Sequence, residues 1–268
     1  MHCEITHIFF TEKMKSIKEI YRIGNGPSSS HTMGPKRAAQ LFLDKHHDAD
    51  KFVATLYGSL AATGKGHLTD AAILDVLSPA ATTTIEWQPN VFLPFHPNAV
   101  KFESYNRAGD VTDSWTVYSI GGGALSDGTK IIGLDEQRNR NIYDKNKITD
   151  ILHWCKETGK TYWEYVEECE DSDIWDYLSH VWQVMSAAVK RGLESEGVLP
   201  GPLALTRKAS TYYIKAKGYK DSLQSRGLVF AYALAVSEEN ASGGEIVTAP
   251  TCGSSGVIPA VLYHLHKS

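Results

Sequence analysis

The sequence predicts an α+β fold, an N-terminal domain mixing helices with a sheet followed by an all-α domain, and three observations lead there. Runs rich in β-branched and aromatic residues alternate with helix-like stretches up to about residue 123. Charged and polar residues then dominate from 135 to 147, and beyond them apolar residues recur at helical spacing. The 268 residues, 42% of them apolar, suffice to bury a core in each part. The organised sequence is expected to start at Met14, after a non-structural leader 1–13. It should divide into a domain 14–134, a linker 135–147 and a domain 148–268.

A short amphipathic stretch (Ile17, Ile20, Tyr21, Ile23) opens the first domain and runs into the turn formers 24–35. Pro35 suits a first helical position, and Ala38, Ala39, Leu41 and Phe42 continue the helix. Residues 52–57 alternate as a strand, 58–67 read as a glycine-rich loop, and Thr69 or Asp70 should cap a helix through Ile73, Leu74 and Leu77. Three more strands are expected at 82–87, 100–105 and 114–120, giving a sheet of about four. In the second domain helices are expected from 148, over 163–166, 174–193 and 228–237, and from Val257 onward. A short strand at 245–247 and a tight loop 248–256 precede the last helix. That helix is still apolar at Val261, Leu262 and Leu265, and the domain is expected to be incomplete.

Composition removes several function classes. A net charge of −4 lacks the basic surplus of a nucleic-acid binder, and the apolar content is too high for disorder. Cys3, Cys155, Cys169 and Cys252 form no C-x-x-C pair, which argues against a disulfide framework or zinc ribbon and for the reducing cytosol. The longest strongly apolar run, 228–236, is nine residues, against the ~20 of a membrane span. Neither nucleic acid nor membrane is therefore an expected partner. Five residues, not four, separate Gly58 from Gly64, and Gly66 follows Lys65, so a P-loop is rejected. No third glycine completes Gly24-Asn25-Gly26, and neither G-x-S-x-G nor H-E-x-x-H occurs. His46-His47 and His264-x-His266 read as solvated helix-face histidines.

Other segments carry chemistry. Ser28, Ser29, Ser30, His31 and Thr32 sit just upstream of a helix start, suited to a carboxylate or phosphate; a serine-rich turn with a capping histidine is the bland alternative. Lys65 and His67 lie among glycines before the next helix, as a cation with a titratable ring or as a surface turn. Gly121, Gly122 and Gly123 end a strand, where a ligand can approach the backbone or the chain can simply bend. Glu238, Glu239 and Asn240 close a helix at the end where its dipole disfavours negative charge, a broken rule that points to function. Cys252, ahead of a helix start, is either a stabilised thiolate or a small buried thiol.

From Met14 onward these segments together resemble the bacterial iron–sulfur L-serine ammonia-lyases (L-serine dehydratases). The resemblance rests on Gly26-Pro27-Ser28-Ser29-Ser30-His31-Thr32-Met33-Gly34-Pro35, Tyr57-Gly58-Ser59-Leu60 and Thr63-Gly64-Lys65-Gly66-His67-Leu68-Thr69-Asp70. It extends through Tyr118-Ser119-Ile120-Gly121-Gly122-Gly123, residues 196–203, Arg207-Lys208-Ala209-Ser210, Glu238-Glu239-Asn240-Ala241-Ser242-Gly243-Gly244 and Val247-Thr248-Ala249-Pro250-Thr251. It implies an α/β serine dehydratase β domain followed by an incomplete all-α catalytic domain holding a 4Fe-4S cluster, whose thiolate-free iron acts as Lewis acid on the serine hydroxyl. The implied reaction turns L-serine into pyruvate and ammonia, by a homodimer or by a chain completed by a further segment or partner.

Under this resemblance His31, Lys65 and His67 are the candidate catalytic residues. Ser28, Ser29, Ser30, Thr32, Gly121, Gly122, Gly123, Glu239, Asn240, Thr248, Pro250 and Thr251 are the candidate substrate contacts. Many members read Asn-Gly-Ala-Cys after Ala-Pro-Thr, whereas this chain has Cys252-Gly253-Ser254-Ser255, so Cys252 is the candidate metal ligand and the family's other cluster cysteines belong to a more C-terminal region. A truncated or split enzyme is expected. The competing expectation is a catalytically silent serine-binding or regulatory module.

Overall fold

The computed structural model describes residues 14–132, 141–201 and 203–268; the expected leader 1–13 and the 135–140 part of the expected linker lie outside the described residues. In chain order the first elements are β1 (Met14–Lys15), β2 (Ile23–Asn25), α1 (Gly34–Leu43), β3 (Lys51–Tyr57), α2 (Gly58–Thr63), α3 (Thr69–Leu77) and β4 (Thr82–Gln88). There follow β5 (Asn98–Tyr105), β6 (Val111–Gly121), β7 (Ala124–Ser126), β8 (Ile131–Ile132), β9 (Asn141–Tyr143), α4 (Ile148–Thr158) and α5 (Tyr162–Cys169). The last are α6 (Ile174–Glu194), α7 (Ala209–Lys217), α8 (Asp221–Ala241), β10 (Glu245–Val247) and α9 (Val257–Lys267). The α+β class is as predicted.

The described residues form two compact units, 14–19 with 141–179 and 20–132 with 180–268. This division cuts across the expected domains 14–134 and 148–268. Periodicity reports local structure, whereas compactness depends on which distant elements pair. In the smaller unit β1 pairs antiparallel with β9, a strand inside the polar run expected to be linker. Glu170 ties this unit together, accepting hydrogen bonds from Ser16 Oγ (2.7 Å), the Ile17 amide (2.9 Å) and Tyr143 Oη (2.5 Å).

The larger unit is built on a six-stranded sheet in the order β4-β3-β5-β6-β7-β8, parallel only between β3 and β4. Five consecutive residues of β3 are buried, as a central strand covered on both faces requires, whereas β4 at the edge alternates half-buried and exposed. Phe42 of α1 stacks on Phe102 of β5 (5.5 Å between centroids) within a core that includes Phe52, Leu56, Leu60, Ile73 and Leu77. Each such side chain contributes about 1.5–3 kcal/mol on burial. A second core gathers Val189, Tyr232, Val236, Ile246, Ala260 and Tyr263 from α6, α8, β10 and α9. β10 pairs antiparallel with β2, Val247 opposite Ile23, so a strand from the start of this unit and one from its second core meet in one ladder.

Several local expectations are corrected. The sheet has six strands rather than about four, because β7 and β8 are too short for an alternation signal. Residues 58–63 form α2 rather than a loop. Neither Thr69 nor Asp70 caps α3: its N-cap is Leu68, in the left-handed region at φ +56°. α8 starts at Asp221 and absorbs Glu238, Glu239 and Asn240 into its last turn, and α7 was not anticipated. Among the described residues no helix is long and apolar enough to cross a membrane.

Candidate functional site

β2 delivers the chain to Gly26, whose amide donates to the Gly244 carbonyl (3.1 Å). A Cβ on Gly26 would sit 2.1 Å from the Asn240 carbonyl oxygen, so only glycine permits this approach of β2's end to α8. Ser28 then caps a single π-helical turn, Ser29–Met33, where a loop was expected. Its Oγ accepts from the His31 amide (3.1 Å), and its carbonyl accepts from the amides of Thr32 and Met33 (3.0 Å each). Two side chains stitch this turn to the start of α3. Thr32 Oγ1 donates to the His67 carbonyl, and Thr69 Oγ1 donates to the His31 carbonyl, each at 2.6 Å.

That scaffold holds the His31 ring between two serine hydroxyls, Ser30 Oγ at 2.9 Å from Nδ1 and Ser59 Oγ at 3.0 Å from Nε2. The His67 ring lies 4.8 Å away, tilted by 45°. Burial first, and then the neighbouring His67, hold the His31 pKa below 6.5, partly opposed by a hydrogen bond from the ring to the Ser59 backbone. At neutral pH the imidazole is therefore uncharged and keeps a nitrogen able to accept a proton. His67 also lines a cleft of about 730 Å³ with Ala61, Ala62, Thr63, Lys65, Gly66 and Trp87. Lys65 is exposed there, its Nζ 5.6 Å from the centre of the Trp87 ring. Leu68, the left-handed residue after His67, marks a backbone held out of its preferred region beside the pair of rings.

The glycine run, Gly121, Gly122 and Gly123, makes the turn from β6 to β7 with φ of +108°, +55° and +79°, a conformation other residues rarely take. Arg22 donates through Nη1 to the Gly122 carbonyl. A Cβ on Gly123 would lie 3.8 Å from Met33 Cβ, so this turn backs directly onto the π-helical turn. Asn240 reaches the same place, its Nδ2 donating to the Pro27 carbonyl (3.3 Å), and its buried Oδ1 has no hydrogen-bond partner among the described residues.

Other candidate residues have their polar atoms engaged elsewhere. Glu239 is buried, with Arg207 Nη1 3.1 Å from one carboxylate oxygen and Arg191 Nε 3.1 Å from the other. Glu238 accepts from the amides of Lys208 (2.6 Å) and Ala209 (3.2 Å) at the start of α7. These cations and amides are why two carboxylates are tolerated in the last turn of α8. Thr248 is fully buried, its Oγ1 accepting from the Arg22 amide and donating to the Ile20 carbonyl, both at 3.0 Å. Pro250 and Thr251 are exposed, and Thr251 Oγ1 lies 3.1 Å from Ser254 Oγ. Cys252 is 3% exposed, with its Sγ donating to Met33 Sδ at 3.6 Å. Burial pushes its thiol up to about 11, which favours the small buried thiol over the stabilised thiolate, the two readings the sequence allows.

Among the described residues no group of three or more His, Cys, Asp or Glu could hold a metal ion. One buried thiol donating to a thioether does not make a three-thiolate cluster site, and Ser255 Oγ is engaged with the Cys252 carbonyl (2.7 Å). Sequence reasoning singled out no role for Ser59, Trp87, Arg22, Arg191 or Arg207. Ser59 and Arg207 stand in the quoted motifs, but their partners lie 28 and 32 residues away, out of reach of any local pattern.

Comparison with known proteins agrees with this architecture. The family model described as "Serine dehydratase beta chain" matches residues 16–88 and 76–130. L-serine dehydratase 1 of Escherichia coli (strain K12) is 35% identical over 94% of this chain and 66% of its own length. The L-serine dehydratase of Haemophilus influenzae is 31% identical over 95% of this chain and 67% of its own, and that of Streptomyces coelicolor 33% identical over 93% and 65%. The chain thus spans about two thirds of the length of these relatives. On this similarity the chain belongs to the L-serine dehydratase family.

Proposed function

We propose that the larger unit carries the serine-binding and proton-handling part of an L-serine ammonia-lyase, which converts L-serine to pyruvate and ammonia. The observation that carries this reading is the His31 imidazole, clamped between Ser30 and Ser59 and set beside His67, which lines an open cleft. The Ser28 and Ser29 hydroxyls and the Lys65 ammonium receive the substrate carboxylate, while Ser30 and Thr32 shape the turn around it by holding the His31 ring and the His67 carbonyl. His31 accepts the α-proton as the C–O bond to the β-hydroxyl breaks, the proton and the departing hydroxide being lost together as water, and the resulting aminoacrylate becomes an imine that water hydrolyses to pyruvate and ammonia. Asn240 and the 121–123 turn hold the serine turn in place from behind. Cys252 would be the one nearby thiol for the 4Fe-4S cluster that the resemblance implies, and the described donors do not complete such a site. A cytosolic setting goes with this reading, as does assembly as a homodimer or with a further segment or partner chain.

Anaerobic reconstitution with iron and sulfide, followed by a pyruvate assay, tests the proposal. Serine-dependent pyruvate, absent from His31→Ala, is the expected result. Serine that raises the melting temperature without forming pyruvate identifies a serine-binding module instead. Neither effect would overturn both.

A further inference from the structure

We infer that Ser59 is a positioning residue for His31, holding the imidazole through Nε2 in its neutral and its protonated form alike; the inference rests on the role proposed for His31 above. Ser30, the partner of Nδ1, is the neighbouring residue of the same turn and moves with the ring. Ser59 comes from a different element, the first turn of α2, and is the contact that fixes the ring to the sheet.

The Ser59 backbone is itself pinned. Its amide donates to the Pro97 carbonyl (3.0 Å), and its carbonyl accepts from Thr63 Oγ1 (2.9 Å). Gly58, at φ +50°, makes the corner from β3 into α2 that presents Ser59 to the ring, and a Cβ there would lie 2.6 Å from the Pro97 carbonyl oxygen. Ser59 therefore stands on the central strand of the sheet by way of a corner that only glycine allows.

A neutral imidazole has one donor and one acceptor nitrogen, and a hydroxyl can take either part. Ser30 and Ser59 therefore satisfy both tautomers. When His31 takes up a proton both nitrogens donate, and both hydroxyl oxygens accept without the ring moving. The bond to the charged ring is the stronger one, so Ser59 favours the protonated form that proton abstraction creates. The titratable group facing the ring is His67. Of the elements packed on this turn, β2, α1, α3 and β6, none contributes an acid or base to the contacts around the His31 ring among the described residues.

The test is a histidine ¹⁵N NMR titration of the purified protein and its Ser59→Ala and Ser59→Thr variants, paired with steady-state kinetics of the reconstituted enzyme. Ser59→Ala should lower the His31 midpoint further and change the tautomer shifts of its ring nitrogens. It should cut kcat by about 10–100-fold, as expected for a misoriented reacting group, with KM nearly unchanged. Ser59→Thr should restore both readouts. A Ser59→Ala protein whose His31 titrates and turns over as in the parent overturns the inference, as does a loss of kcat that threonine does not rescue while the titration stays put. His31→Ala separates the two readings. Full activity in His31→Ala would sink the base assignment itself, whereas an inactive His31→Ala beside a fully active, normally titrating Ser59→Ala would sink only the part given to Ser59.

Discussion

Two turns of the larger unit have nearly the same composition and different fates. Residues 26–33 and 248–256 are each built from Gly, Pro, Ser and Thr, each carry one reactive side chain, and each lead into a helix. In the first, the side-chain hydroxyls of Ser28, Thr32 and Thr69 hold the backbone, which leaves the His31 ring on serine hydroxyls that can reverse their roles. In the second, the polar side chains are turned inward on the turn or its strand. Ser254 Oγ donates to the Ala249 carbonyl, Ser255 Oγ to the Cys252 carbonyl, and Thr248 bridges to the chain beside β2. Its thiol faces apolar core. A reactive residue type in a glycine-serine loop is therefore not yet a reactive group: burial and the direction of the hydrogen bonds decide.

The largest expected effect tests the first turn. His31→Ala should lower kcat by about 10²–10⁴-fold, the usual contribution of a positioned base, with an unchanged circular dichroism spectrum. Turnover at the parental rate would erase the distinction between the turns. The second turn is tested by stability. Thr248→Val keeps the shape but removes the two hydrogen bonds that Thr248 Oγ1 makes with the Arg22 amide and the Ile20 carbonyl, and should cost about 2–3 kcal/mol in urea unfolding. A change below about 0.5 kcal/mol would mean that Thr248 is not a strut.

Thiol chemistry sharpens the contrast further. With its thiol moved from 9.0 to about 11, native Cys252 should carry about a hundredfold less thiolate at pH 8 than in the unfolded chain. Iodoacetamide labelling followed by peptide mapping reads this directly, and rapid labelling of the native protein at pH 8 would make the second turn a chemical site as well. The smallest effect is in the pH dependence of stability. Because the folded His31 pKa lies below 6.5, its contribution is fully present above pH 6.5 and is lost as pH falls through the folded value. Melting temperatures measured downward from pH 7 should fall more steeply for the parent than for His31→Gln; parallel curves would show that the ring is not desolvated.

The residues of the first turn were legible because composition and order are enough to mark it: four hydroxyls and an imidazole ahead of Pro35 resemble nothing in an ordinary helix entry. Lys65 and His67 were legible in the same way, and both line the cleft. Glu239 was marked for the right anomaly and given a different role. Two carboxylates at a helix C-terminus do break a local rule, but Arg191, Arg207 and the amides opening α7 account for them. Sequence alone could not supply those partners, since an arginine on an unanticipated stretch carries no sign of its counterion.

By itself the sequence determined the α+β class, the presence of α1 and β3, the family and the identity of the serine-histidine turn, because these depend on local periodicity, turn chemistry and residue order. The tertiary structure alone decided that β2 pairs with β10, that Ser59 meets His31, and that Cys252 faces Met33 and the core. It also placed residues 14–19 with 141–179. Those outcomes rest on contacts between groups 28 to 228 residues apart, such as Ser59 with His31 and Thr248 with the Ile20 carbonyl. Desolvation and hydrogen-bond direction at such contacts are properties of the packed chain, and no window of sequence contains them.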